Sequence, residues 1–120
     1  MRDDGCEYSG PATVGASPVV FELVNASTGQ FDADLWLLSA GHTYDELAAH
    51  IAEEQRRSAA SEPGLGHPAF ATLVAEASVS GAQASLQTDL VAGTYGLACI
   101  RFEGGSPVAI RAAGSFTVGE

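Results

Sequence analysis

The 120 residues include 5 Lys+Arg against 15 Asp+Glu, a formal net charge of −10, and all five bases are arginine. A balance this acidic argues against nucleic acid or an anionic membrane as partner, because both require a cationic surface. Hydrophobic residues at 46% and charged residues at 17% describe a folding chain with one core and one domain, 1–120, and no apolar run approaches the ~18–20 residues of a transmembrane segment.

Met1-Arg2-Asp3-Asp4 has neither the cationic start nor the apolar stretch of a signal peptide. The chain is therefore expected to be a mature fragment with a substituted start, its leader not present. Residues 6–14 form a broken first strand. PVVFELVN (18–25) combines β-branched and aromatic residues between small-residue turns, a strand signal. DADLWLLS (32–39) is apolar on both faces: alternation sends Leu35 and Leu37 one way, Trp36 and Leu38 the other. An exposed Trp36-Leu37-Leu38 would suit an interface, whereas a covering element would bury it.

The segment 43–60 breaks the strand pattern. Thr43-Tyr44-Asp45-Glu46 has the form of a capping box. Behind it Tyr44, Leu47, Ala48, Ile51 and Gln55 recur at helical spacing, and Arg56-Arg57 suits the negative end of the helix dipole. Such a helix is predicted to lay its stripe on the outer face of the 32–39 strand or across the adjacent end of the sandwich, leaving Glu46, His50, Glu53 and Glu54 mainly in water. SEPGLGHPA (61–69) is a loop, so 41–69 forms a helix-and-loop insertion. FATLVAEASVS (70–80) returns to strand. In AQASLQTDL, Ala82, Ala84, Leu86, Thr88 and Leu90 alternate with Gln83, Ser85, Gln87 and Asp89, the pattern of a half-buried antiparallel strand. TYGLACIRF (94–102) places Tyr95, Leu97 and Cys99 on one face, and 107–118 forms the last strand. The sum is an all-β Greek-key sandwich of about seven strands with one helical insertion near 43–60.

Cys6 and Cys99 stand near opposite ends of the chain, both in strand-like surroundings. The even count favours one long-range disulfide, which in the chain-entropy model stabilises by roughly 4–5 kcal/mol and persists in oxidising compartments. The other reading is two separate buried thiols, since free cysteine packs as a small hydrophobe.

Three stretches, ATVGASPVVFELVN (12–25), LQTDLVAGTYGLAC (86–99) and SFTV (115–118), resemble the cupredoxin family, the plastocyanin- and azurin-type sandwiches. Leu90, Ala92-Gly93, Tyr95 and Cys99 follow the family's pattern before its copper cysteine, with alanine where proline is usual. The resemblance implies that the Tyr95 hydroxyl ties down its loop. Cys6-Glu7, and Asp34-Leu35-Trp36-Leu37-Leu38 following Asn25-Ala26-Ser27, further resemble the cupredoxin domain of Efe-type iron-uptake lipoproteins. That likeness implies a Cys6–Cys99 contact.

A type 1 copper centre takes a cysteine, two histidines and usually a methionine, one histidine lying upstream and the others beside the cysteine. After Cys99 there is neither histidine nor methionine, and the upstream slot holds Phe31-Asp32-Ala33-Asp34. A conventional blue copper site is thereby excluded. Glu7, Asp32 and Asp34 with a reduced Cys6 or Cys99 would make a mixed site for copper or another divalent metal; otherwise Asp32 and Asp34 face water. His50, flanked by Glu46 and Glu54 one turn away, would suit zinc, or simply a solvated acidic face. His42 and His67 join it as a surface site if both loops fold over the helix. A nucleophile with its base, a G-x-S-x-G elbow and a phosphate loop are all missing from the sequence.

The expectation is thus a non-enzymatic, extracytoplasmic module: secreted, periplasmic or anchored at the cell surface. It would be cupredoxin-like, without type 1 copper and with no cofactor, and it would bind an unknown protein or small ligand. The alternative is a non-blue metal-binding or redox carrier that uses the carboxylates and cysteines.

Overall fold

The computed structural model describes residues 6, 8, 9, 13–15, 18–24, 30–79, 81–103 and 106–119; Glu7 and the Asn25-Ala26-Ser27 turn lie outside them. Seven strands and one helix follow in order: β1 (Thr13–Gly15), β2 (Pro18–Val24), β3 (Gln30–Leu38), α1 (Tyr44–Ala59), β4 (Ala71–Val79), β5 (Gln83–Asp89), β6 (Gly93–Glu103) and β7 (Ser106–Gly119). The ends fall within a residue or two of the alternation-based expectation. The exception is the first strand: among the described residues Cys6, Tyr8 and Ser9 are outside any ladder, and β1 comprises Thr13–Gly15.

Five strands form one sheet in the order β1-β7-β6-β3-β4, and β2 pairs with β5 in a second. The β1–β7 pair is parallel and the other pairs are antiparallel. The inner faces meet as in a sandwich. Leu35, Tyr95, Leu97, Phe116 and Val118 of the large sheet pack with Leu90 and with Val19 and Phe21 of the small one. Beside them Phe31, Ala33, Val79 and Cys99 meet Leu23 and Ala84. Strand β5 follows its period of two, with Ala84, Leu86 and Thr88 turned inward and Gln83, Ser85, Gln87 and Asp89 exposed. The Tyr95 hydroxyl donates to the Val91 carbonyl at 2.7 Å, fixing the turn into β6.

Cys6 and Cys99 are joined in a disulfide across 93 residues, with Cα atoms 6.5 Å apart, inside the usual range for this bond. The bridge lies on the inner face, where Cys6 packs against the Phe31 and Val79 cluster. It tethers residues that no ladder holds. Next to it, Tyr8 donates its N–H to the Ala113 carbonyl at 2.7 Å. Gly114 follows at φ +148, and a Cβ there would run into the Tyr8 side chain, so glycine is required at this kink.

Helix α1 is closed at its start by the capping box: the Thr43 hydroxyl accepts the Glu46 N–H at 3.3 Å, and the Glu46 carboxylate accepts the Thr43 N–H at 3.0 Å. The Glu46 carboxyl is held below its usual range by its bond to His42, 2.8 Å away, and by that Thr43 N–H. At the other end Arg56 and Arg57 both bond Glu53 at 2.7 Å. The apolar stripe is laid across the outer face of the large sheet, where Leu47 and Ile51 form a second core with Trp36, Leu38 and Ala98. Leu47 is wholly buried, seated over Gly96, where any Cβ would collide with it. Gln55, the polar member of the stripe, accepts the Ile110 N–H and docks the helix on β7. Trp36 and Leu38 are therefore covered and do not form an open interface. Among the described residues no helix is long and apolar enough to cross a membrane.

Two outcomes test this packing. Leu47→Ala lowers the unfolding free energy by about 3 kcal/mol, measured as a reduced urea midpoint at unchanged slope; an unchanged midpoint would mean the helix is not anchored there. Thiol titration under denaturing, non-reducing conditions finds no free thiol, and the reduced protein is less stable by about 4 kcal/mol.

Candidate ligand site

The chain between α1 and β4 has little regular structure, and side chains of the helix fasten it down. The Glu54 carboxylate accepts the N–H groups of Leu65 and Gly66, the latter at 3.0 Å. His50 Nε2 lies 2.9 Å from the Gly66 carbonyl. A carbonyl only accepts, so Nε2 carries the proton and donates. These bonds hold Gly66, His67 and Pro68 beside the helix. Below them the outer face of the large sheet presents Trp36, Ala98, Ile100 and Ile110.

Helix, loop and sheet border an open-sided cavity of about 200 Å³, whose lining includes Asp34, Trp36, His50, Ile51, His67 and Ile110. Its walls are mostly apolar. His67 stands edge-on to the Trp36 ring, with centroids 5.0 Å apart. His42 stacks on Phe70 at 5.1 Å, while His50 meets the same ring edge-on at 6.2 Å.

Asp34 is the outlier. It lies in mid-strand, paired with Glu76 of β4 and Ala98 of β6, and is 8% exposed. Among the described residues it is the one charged side chain in the buried set, and its Oδ1 has no hydrogen-bond partner. Burial pushes its carboxyl up to about 6, helped by the neighbouring Glu76 and Asp32 carboxylates and opposed by His67. A buried carboxyl without donors favours its neutral form for want of solvation. The expectation that both aspartates face water holds better for Asp32, which is half-buried and accepts the Ser78 hydroxyl at 2.7 Å. For Asp34 it is corrected. Alternation sends both aspartates to the same side as Trp36 and Leu38, and the helix and its loop cover that side at Asp34.

Of the residues singled out for a mixed metal site, Glu7 lies outside the described residues, and the described ones are not brought together. Cys6 and Cys99 pack between the sheets, whereas Asp32 and Asp34 occupy the opposite face of β3. Among the described residues no three His, Cys, Asp or Glu side chains converge as metal ligands do. The acids flanking His50 are engaged elsewhere, Glu46 with His42 and Thr43, and Glu54 with the loop. His50, Glu53 and Glu54 are half-buried, not mainly in water as expected, whereas Glu46 is exposed. The three histidines do gather along the helix–loop seam, but around Phe70 and Trp36. Nor do the residues fit type 1 copper. The Cys99 sulfur is bonded to Cys6, and its cross-strand neighbours are Ala33 and Arg111.

The sequence alone did not disclose Ile100, Ile110 and Glu54 as parts of one site. The available signal was the doubly apolar 32–39 strand followed by an amphipathic helix; what lines the gap depends on where the helix crosses. No protein-family model, curated protein or solved structure matches the chain.

The burial of Asp34 has a pH signature. The folded state keeps its proton up to about pH 6, while the unfolded chain releases it near 3.9. Between these values the folded state binds more protons, so stability falls as pH rises through the window. Above it, the ionised carboxylate costs about 2–3 kcal/mol. Asp34→Asn is therefore more stable than the parent at about pH 7.5, and its advantage disappears towards about pH 4. Urea melts of both proteins across that range check this, and a pH-independent difference would contradict it.

Proposed function

We propose that the protein is an extracytoplasmic, non-enzymatic cupredoxin-like binding module without type 1 copper, which uses the 41–69 insertion to hold a small ligand. The observation that carries the binding role is the cavity between the insertion and the sheet, with a buried carboxyl in its lining. Apolar concavities with a few convergent polar groups are the usual form of small-molecule sites.

The cupredoxin-like reading is supported by the way the chain passes between sheets. Strand β2 leaves for the small sheet, β3 and β4 return to the large one, β5 leaves again, and β6 and β7 return. Such alternation is typical of Greek-key sandwiches. The Tyr95 bond to Val91 adds to it. A disulfide linking the start of the chain to β6 supports an oxidising compartment. The bonded cysteines leave no thiol as metal ligand or nucleophile, which disfavours the alternative of a non-blue metal or redox carrier.

Titrating the oxidised protein with Cu(II) while recording the visible spectrum tests the copper statement. No intense thiolate charge-transfer band is expected, and its appearance would overturn this reading.

A further inference from the structure

Taking the cavity as a ligand site, we infer that its ligand is a small organic ammonium ion: a positively charged amine on an apolar body no larger than a single ring. The inference rests on the proposed binding role and adds the chemistry.

Three observations converge on a cation. Asp34 lines the cavity, is more than nine-tenths buried, and has an oxygen with no partner. An unpartnered buried acceptor is costly, and more so when charged. That oxygen is itself sealed from solvent, so what a ligand in the cavity supplies is the missing countercharge to the carboxylate, which is worth most where water is excluded. A neutral ligand does not supply it, and an anion opposes it.

The groups around Asp34 act in the same direction. Asp32 on β3, Glu76 on β4 and Glu54 on α1 are carboxylates, against His67 on the loop and His50 on the helix; β6 and β7 contribute the apolar Ala98, Ile100 and Ile110. With a chain charge of −10, cations are drawn in and anions repelled. A divalent metal has the right sign but wants several converging ligands, and no such set of three exists among the described residues.

Shape sets the rest of the ligand. A cavity of about 150 Å³ lined by aliphatic and aromatic side chains accommodates benzene, so about 200 Å³ takes one ring with a short amine arm. Trp36 and the isoleucines offer that ring an apolar bed, and Trp36 adds an aromatic surface attractive to the ammonium group.

The test uses the oxidised full chain near neutral pH, with benzylamine, benzyl alcohol and benzoate as cationic, neutral and anionic probes of one shape, and zinc chloride beside them. Calorimetry gives the affinities. Emission from Trp36, the chain's one tryptophan, reports whether binding occurs in the cavity. Benzylamine is expected to bind about tenfold or more tighter than benzyl alcohol, with benzoate weakest and with a change in Trp36 emission. In Asp34→Asn, checked for fold by far-UV circular dichroism, the preference for the amine over the alcohol disappears while the alcohol still binds. Equal affinity of amine and alcohol for the parent protein would overturn the cation assignment but keep the cavity as a site. Binding of none of the organic probes would overturn both. A response to zinc alone would replace the amine with a metal. The comparison of amine and alcohol in the parent decides the matter even if the variant does not fold.

Discussion

The five-stranded sheet has to be covered on both faces. In β3, Phe31, Ala33 and Leu35 are buried on one side and Trp36 and Leu38 on the other; in β6, Tyr95, Leu97 and Cys99 oppose Gly96 and Ala98. Each large apolar side chain left in water would forgo roughly 1.5–3 kcal/mol. The small β2–β5 sheet protects one face and α1 protects the other. The rest of the structure follows from this double burial, including the crossover of the chain between sheets, the close seat of Leu47 over Gly96, and the loop needed to return from the helix to β4.

A helix is a cylinder laid on a twisted surface, and it cannot fill every corner. Between α1, the outer face of the sheet and the 61–69 loop a gap remains, the cavity lined by Asp34. The bonds from Glu54 and His50 to that loop make the gap a defined part of the molecule. They also explain why carboxylates that look available on the helix are not. Glu46 serves the N-terminal cap, Glu53 the two arginines, and Glu54 the loop.

Sulfur and carboxylate chemistry are separated by the sheet itself. Successive residues of a strand point to opposite faces, so Ala33, the cross-strand neighbour of Cys99, belongs to the inner layer with it, while Asp34 belongs to the outer one. The disulfide is thereby confined to the packing between sheets, where it anchors the N-terminal stretch. On the other face of the same strand the buried Asp34 carboxyl lies beside the apolar cavity.

Local sequence determined a good deal. Strands β2 to β7, the helix with its capping box, the inward set of β5 and the doubly apolar character of β3 were legible in residue order, because alternation and capping are decided by near neighbours. The absence of blue-copper ligands around Cys99 was legible for the same reason. The burial of Asp34 was not. An aspartate two residues from another, on an alternating strand, reads as solvent-facing, and nothing local says otherwise. Its environment depends on where a helix ten residues downstream crosses the sheet and on a loop pinned by Glu54. Those positions come from the fit of Leu47 over Gly96 and of Gln55 against Ile110, contacts between residues about 50 apart in the chain. Tertiary packing alone brought Asp34, Trp36, His67 and Ile110 around one space, because long-range shape complementarity has no local signature.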